Sequence, residues 1–266
     1  MHNRCNVLGI KFDNLSLQEC LSVVEGFIEQ GTFHYFATPD MYRALKAVQN
    51  EDIRNIYSAA DITLSDGTAL VLASRILGAP LKTRVRCPDL TDSLLELSMR
   101  KGYRVFVVRG GEPDVTEIAI AGIQRKYPTV NIIDTYTVPY NFNPRTHLAV
   151  NAELMSAILD KRPHILLFAL GYPNEEKWLW QEKERLHDIP VCLGVGGALE
   201  SYAGRAKRAP RWMCNSGLEW LFRVIQEPGR LWKRYAVGGP TLAFLILKEL
   251  LFTRLSKRRK YAKTGS

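Results

Sequence analysis

The sequence contains no run of about 18 uncharged apolar residues, so no segment reads as a membrane span. Near its start the only apolar stretch is Val7–Ile10, too short for a secretory signal. Five cysteines stand at 5, 20, 87, 192 and 214 without paired spacing. That scatter argues against a disulfide framework or a zinc knuckle and for a reducing compartment. The signatures His-Glu-x-x-His, Cys-x-x-Cys, Gly-x-x-x-x-Gly-Lys-Ser/Thr and Gly-x-Ser-x-Gly are all missing, which removes the usual marks of zinc peptidases, dithiol redox sites, P-loops and serine hydrolases. The five histidines are isolated, and His34 and His164 lie in or beside extended runs as packing residues. Asp-x-Asp is absent too, so nucleotide-sugar chemistry here would manage without the metal that motif often holds. No internal repeat or low-complexity tract is visible.

What is present is a 266-residue chain, 46% hydrophobic, suited to one large domain or a domain with an appendage. Its net charge of +9 is unevenly spread. Residues 201–266 carry 15 Lys/Arg against three Glu, or +12, which leaves −3 for residues 1–200. A mildly acidic body with a basic tail points to a polyanionic partner, nucleic acid or an anionic membrane surface.

The first 200 residues alternate helical and extended patterns. Ser16-Leu-Gln-Glu19 is a capping box, Leu17, Leu21, Val24 and Ile28 follow at helical spacing, and Gly31 ends the helix. Pro39 suits the first turn of a helix that Met41, Leu45, Val48, Ile53 and Ile56 would face inward. Extended runs near 34–38, 61–65, 103–108, 130–136, 165–170 and 191–195 are separated by helical stretches. Several of these runs are apolar throughout, as strands buried on both faces are. The expected fold is α/β: an open, mainly parallel, Rossmann-like sheet with helices on both faces, plus a C-terminal helical appendage. The expected division is 1–204, an α/β catalytic domain, and 205–266, a basic, amphipathic appendage for active-site closure and membrane contact. Pro228 and Gly238-Gly239-Pro240 should break the appendage into short helices.

Ligands of open α/β sheets bind outside the carboxyl ends of the strands. Candidates there are Thr38, Asp40, Asp66, Gly110, Gly111, Gly171 to Glu175, and Gly194 to Gly197. Each has a plainer reading. Asp66 ahead of a helix is also a natural N-cap, and Gly194-Val-Gly-Gly is also a tight turn.

The assembled pattern resembles the WecG/TagA/CpsF family of glycosyltransferases. The residues that carry the resemblance are Thr38-Pro39, Ala60-Asp61 to Asp66-Gly67, Ala73-Ser-Arg-Ile-Leu-Gly78, Arg84-Val85 and Asp89-Leu90. They continue with Gly171-Tyr-Pro-Asn-Glu-Glu-Lys-Trp178, Gly194-Val-Gly, Arg208-Ala-Pro-Arg-Trp212, Gly217-Leu-Glu-Trp-Leu-Phe-Arg223 and Gln226-Glu-Pro-Gly-Arg-Leu-Trp-Lys-Arg-Tyr235. It covers roughly residues 5–250.

The resemblance implies an inverting, metal-independent enzyme with no cofactor. It would move a sugar, of N-acetylmannosamine type or a related hexose, from a UDP-sugar to an undecaprenyl-diphosphate-linked sugar in cell-surface polysaccharide synthesis. It also implies site roles. Asp66 matches the general base, Thr38 a polar active-site contact, and Arg223 and Arg230 appendage arginines that meet the UDP diphosphate. Lys233 falls where another such arginine stands, with Arg234 adjacent. Donor or acceptor contacts are expected at Asp40, Arg84, Asp89, Gly171, Tyr172, Glu175, Lys177, Gly194 and Gly196. No metal site is expected. Three positions depart from the family pattern. Residue 175 is usually Gln and is Glu here, residue 40 is often Asn and is Asp here, and Cys87 replaces a small residue. A carboxylate at 175 would repel a diphosphate unless protonated or turned away. The alternative for the arginines is an exposed helix face or lipid headgroup contact.

Leucines and Phe244 in Thr241–Leu255, interrupted by Lys248 and Glu249, suit an interfacial helix, and Trp212, Trp220 and Trp232 suit headgroup depth. The expected location is cytoplasmic, peripheral on the inner face of the plasma membrane. A homo-oligomer is left open. Rival readings are a UDP-glucose or UDP-uronic-acid transferase of exopolysaccharide assembly, a basic-tailed nucleic-acid-binding protein, and a dinucleotide-dependent oxidoreductase. The acidic body disfavours nucleic acid as a partner, and the first strand lacks the glycine fingerprint of the oxidoreductase.

Overall fold

The computed structural model describes residues 3–264, apart from the side chains of Asn215, Arg230, Lys233 and residues 252–264. The chain opens with an antiparallel hairpin, β1 (Arg4–Val7) and β2 (Ile10–Asp13). Its turn places Leu8 and Gly9 at positive φ, and the Asn6 side chain accepts the Gly9 N–H at 2.9 Å. The helix α1 (Leu17–Gln30) follows with both bonds of its capping box made, and Gly31 ends it in the left-handed conformation.

Six parallel strands then form one sheet: β3 (Tyr35–Ala37), β4 (Ile62–Thr63), β5 (Val105–Gly110), β6 (Ile132–Val138), β7 (Ile165–Ala169) and β8 (Val191–Gly194). Their spatial order is β4-β3-β8-β7-β5-β6. Alternate residues go to opposite faces. Tyr35, Ala37, Phe106, Val108, Leu166, Phe168 and Cys192 join one buried cluster; Phe36, Val105, Val107, Ile165, Leu167, Val191 and Leu193 join the other. Helices supply the rest of each cluster, so both faces are covered and the apolar runs of the sequence are explained. Each fully buried large side chain contributes about 1.5–3 kcal/mol before chain entropy is charged against it.

The first face is covered by α2 (Met41–Gln49), α3 (Glu51–Ala59), α4 (Thr68–Ile76), α7 (Leu148–Lys161) and α8 (Asn174–Glu182). The second is covered by α1, α5 (Cys87–Lys101), α6 (Pro113–Lys126) and α9 (Ala198–Tyr202). The hairpin protects the short edge strand β4: Asp13 pairs with Arg4 at 3.0 Å and accepts the Thr63 N–H at 2.8 Å. Open strand edges invite foreign pairing, and a covered one does not.

Three local expectations change. The stretch after Pro39 is two helices, because Asn50 leaves helical geometry and caps α3 by accepting the Ile53 N–H at 3.1 Å. Asp66 is not an N-cap: Gly67 holds that position of α4 with no side-chain cap. After α10 (Arg211–Asn215) and α11 (Glu219–Gln226), the chain forms one helix, α12 (Pro228–Thr264), which runs through Gly238-Gly239-Pro240. Proline removes one amide donor from the ladder. The Thr241 hydroxyl bonds back to the Val237 carbonyl at 2.7 Å, reinforcing the turn beside it. Packing on the body supplies the remaining hold, since Leu231 and Leu242 are buried and Tyr235, Leu245 and Ile246 lie against the first cluster.

Helices α6 and α9 approach closely at Gly122, where an added Cβ would stand 2.2 Å from the Tyr202 carbonyl oxygen. Gly122→Ala should therefore destabilise the body by about 1–3 kcal/mol through overpacking, despite alanine's better helix propensity. Urea unfolding of the two proteins checks this; a stabilised variant would contradict it.

Candidate active site

The carboxyl ends of β3 and β4 open into a cleft of about 330 Å³. From the body, Asp40 to Tyr42, Asp66 to Ala69, and Arg84 line it; from the appendage come Gly217, Glu219, Trp220, Arg223, Arg234, Tyr235 and Gly239. Two distant parts of the chain thus share one cavity. Of the site residues singled out in the sequence, Asp40, Asp66, Arg84 and Arg223 meet here, and Trp220, expected at headgroup depth, lines the same cleft beside Tyr235.

Asp66 follows β4 and is half-buried. Burial pushes its carboxyl up to about 6; Arg223 pulls against that, while Asp40 and Glu219 add to it and the Cys87 backbone N–H opposes it. The rise leaves a carboxylate that is ionised at neutral pH yet basic enough to take a proton, the range in which a general base works best.

Arginines surround it, each already held by a carboxylate. Glu219 is the hub. Its Oε1 accepts Arg223 at 2.6 Å, and its Oε2 lies 3.4 Å from both Arg84 and Arg86. Burial alone would raise Glu219, but these three cations hold it below the usual carboxylate range. Arg84 also donates to the Cys214 carbonyl at 2.6 Å and to the Thr68 hydroxyl at 3.1 Å, which ties the body to the appendage. Asp89, at the start of α5, is occupied by Arg86 at 2.6 Å and does not line the cleft.

A second group sits beside the first, under the ends of β7 and β8. Arg43 on α2 bridges Glu175 at 3.1 Å and Glu176 at 3.0 Å. The other oxygen of Glu175 accepts the N–H groups of Gly171 at 3.2 Å and Gly196 at 3.1 Å. Burial and the Glu176 charge push Glu175 up to about 7, against the pull of Arg43. So Glu175 is turned away from the cleft and partnered. Gly194 and Gly196 leave the room it fills: a Cβ at either would come within 3.1–3.3 Å of its side chain. Tyr172 is half-buried, with the Arg43 guanidinium 5.4 Å from its ring centroid. Thr38 is buried, and its hydroxyl has no hydrogen-bond partner. Lys177 is exposed on α8 and joins neither group. The side chains of Arg230 and Lys233 lie outside the described residues.

Sequence reasoning missed Arg43 and Arg86 and gave Arg234 no role. It also missed Arg109, a buried guanidinium at the end of β5, paired with Glu200 at 2.7 Å and with its Nε unpartnered. An arginine inside the apolar run of a strand was the available signal. Among the described residues no cluster of three His, Cys, Asp or Glu could hold a metal ion.

The glycosyl transferase WecG/TagA/CpsF family matches residues 5–256. The chain belongs to this family. It is a glycosyltransferase. It is 30% identical over 241 residues, 90% of each chain, to an N-acetylglucosaminyldiphosphoundecaprenol N-acetyl-beta-D-mannosaminyltransferase of Bacillus subtilis (strain 168). A protein of the same name from Bacillus spizizenii (strain ATCC 23059 / NRRL B-14472 / W23) is 31% identical over 205 residues, 77% of this chain and 75% of that one. Another, from Staphylococcus aureus (strain MW2), is 26% identical over 238 residues, covering 87% and 86%.

Two predictions follow from the charges. Asp66 ionises near 6 when folded but near 3.9 when unfolded, so the folded protein holds the proton more tightly. The stability that proton confers is present below about pH 4 and lost as pH rises to about 6. Asp66→Asn mimics the protonated form and should stabilise the protein by about 1–3 kcal/mol at pH 7, less where solvent screens the group. At pH 4 the two thermal unfolding curves should nearly coincide. Glu175→Ala, in contrast, should destabilise by about 3–5 kcal/mol, because it leaves Arg43 half-paired and the Gly171 and Gly196 N–H groups without their acceptor; an unchanged Tm would refute the partnering described.

Proposed function

We propose that this glycosyltransferase moves an N-acetylmannosamine-type sugar from a UDP donor to undecaprenyl-diphosphate-linked N-acetylglucosamine, in cell-wall polysaccharide synthesis. The names of its relatives support the acceptor and the transferred sugar. The observation that carries the chemistry is Asp66, a carboxylate raised to about 6 within a cleft lined by arginines.

In this reading Asp66 takes the proton from an acceptor hydroxyl as that oxygen attacks the anomeric carbon. The bond from that carbon to the diphosphate oxygen breaks, and its electron pair leaves with UDP. A single displacement of this kind inverts the anomeric centre. Negative charge gathers on the departing diphosphate, and Arg84 and Arg223, which line the cleft, can meet it. A cation about 4 Å away is worth roughly 4 kcal/mol at an effective dielectric near 20, before desolvation. Guanidinium also presents paired donors to phosphate oxygens. Each arginine is held in a carboxylate pair beforehand, so little side-chain freedom remains to be lost on binding. These arginines support a reaction without a metal.

The appendage supports a second part of the reading, that residues 205–266 close the site and meet the membrane. No helix among the described residues is long and apolar enough to cross a membrane. Yet α12 has two apolar faces. At 3.6 residues per turn, Trp232, Val237, Phe244, Leu247 and Leu251 share about 140° of arc, and all are exposed. Leu231, Tyr235, Gly238, Leu242, Leu245 and Ile246 occupy the opposite side, against the body. An exposed apolar face on a basic helix fits the headgroup boundary of anionic lipid, where a peripheral enzyme on the inner membrane face would meet its acceptor.

Radiolabelled UDP-N-acetylmannosamine and a short-chain lipid-diphosphate N-acetylglucosamine test the reaction directly. Transfer should occur in EDTA, fall below about pH 6, and drop by at least 10²-fold in Asp66→Ala with UDP affinity retained. Equal turnover in that variant rejects Asp66 as the base. The paired change Phe244→Glu with Leu247→Glu should release the protein from anionic vesicles in sedimentation while leaving its thermal unfolding unchanged. Undiminished vesicle binding would reject the exposed face as the lipid contact.

A further inference from the structure

Helix α12 meets the body along a seam that is mostly apolar. At Gly238 an added Cβ would lie 3.0 Å from Met41 Cε and 3.6 Å from Leu45 Cδ1, both on α2. Leu242 is buried farther along the same seam. Apolar contacts fix how near two helices lie, but they are non-directional and permit sliding and tilting.

A directional contact crosses the seam at the rim of the cleft. Arg234 donates to the Asp40 carboxylate, and its guanidinium carbon lies 4.6 Å from the centroid of the Tyr42 ring. Asp40 is rigid because it caps α2: its Oδ1 accepts the Arg43 N–H at 3.0 Å, leaving Oδ2 for Arg234. Arg43 is fixed in turn by Glu175 and Glu176, and Glu175 grips the backbone after β7 and β8. A continuous string of charges therefore runs from the sheet, through the start of α2, to α12.

We propose that Asp40 and Arg234 are positioning residues that form a latch, holding α12 over the cleft and masking the Asp40 charge from Asp66. The proposal rests on the reading of this cleft as the active site. The groups that face Asp66 are Asp40 at the start of α2, Glu219 and Arg223 on α11, and the Cys87 N–H and thiol at the start of α5. Those that face Asp40 are Arg43 on α2, Asp66 after β4, Tyr172 before α8, Glu176 in the first turn of α8, and Arg234 and Tyr235 on α12. With the latch made, Arg234 neutralises Asp40. Without Arg234, Asp40 keeps only Arg43 as a nearby cation, and its less compensated charge beside Asp66 makes that carboxyl harder to ionise. Replacing Asp40 by Asn has the opposite effect. It removes the like charge, leaves Arg234 as an unmatched cation, and preserves the helix cap, which Asn makes as well as Asp.

Two substitutions that break one contact thus shift the same titration in opposite directions, which a merely structural loss would not do. The test uses full-length Asp40→Asn and Arg234→Gln beside the parent protein. Trypsin should cut the segment between α9 and α10, which carries Arg205, Lys207 and Arg208, several-fold faster in both variants, as the appendage loosens. KM should rise in both. The acidic limb of the kcat–pH profile should move down in Asp40→Asn and up in Arg234→Gln, each by about half a pH unit or more, as expected for one charge at short range. Unchanged cleavage in both variants, or acidic limbs that move together, overturns the latch. Absence of transfer by the parent protein would count against the proposed function alone, because the trypsin comparison still decides whether the latch holds α12.

Discussion

A carboxylate at the end of a parallel strand is ordinarily bathed in water, and Asp66 is not. Helices from the far end of the chain close over it, and that loss of water sets its proton affinity. The rest of the site follows from this constraint. A desolvated carboxylate needs cations nearby, and Arg223 answers it. Cations brought into a narrow cleft repel one another unless paired, and Glu219 gathers three of them. The pairs cross between body and appendage, so the electrostatics of the cleft and the docking of the appendage are one interaction seen from two sides.

The sheet was legible in the sequence because each central strand is buried on both faces, and runs such as Ile165–Ala169 and Val191–Gly194 have little else to become. The β1–β2 hairpin was not legible. Its turn is Leu8-Gly9 rather than an Asn-Gly or Asp-Gly pair, and its strands are four residues each. The length of α12 was hidden for another reason. Local breakers at 238–240 predict a stop, and the gain from laying one long apolar face against α2 outweighs them, as tertiary packing outweighs local propensity elsewhere. Asp66 was a candidate from its place at a strand end, and the family resemblance supplied its role as base and pointed to Arg223. Arg43 and Arg234 escaped because nothing in a linear pattern shows that residues 43, 175 and 176, or 40 and 234, stand together.

Glu175 shows how a worrying charge is absorbed. Read alone, a carboxylate beside a diphosphate site is repulsive. In the fold it accepts from Arg43 and from two backbone N–H groups. The glycines at 194 and 196 then have a structural purpose, since any side chain there would strike it. Its position near the strand ends therefore argues for holding the sheet's rim to α2, and only indirectly for touching a ligand.

The two apolar faces of α12 make one consequence unavoidable if the exposed one meets lipid. The docked face carries Tyr235 and lies one residue from Arg234, and both line the cleft. A bilayer that binds the exposed face better when the docked face is seated must, by linkage, favour the seated state by the same factor. The converse would then hold too: a substrate that favours the seated state would strengthen the helix's hold on the membrane by the same factor. On that condition lipid and substrate would act on opposite sides of a single helix, coupled through the one equilibrium by which it seats on the body.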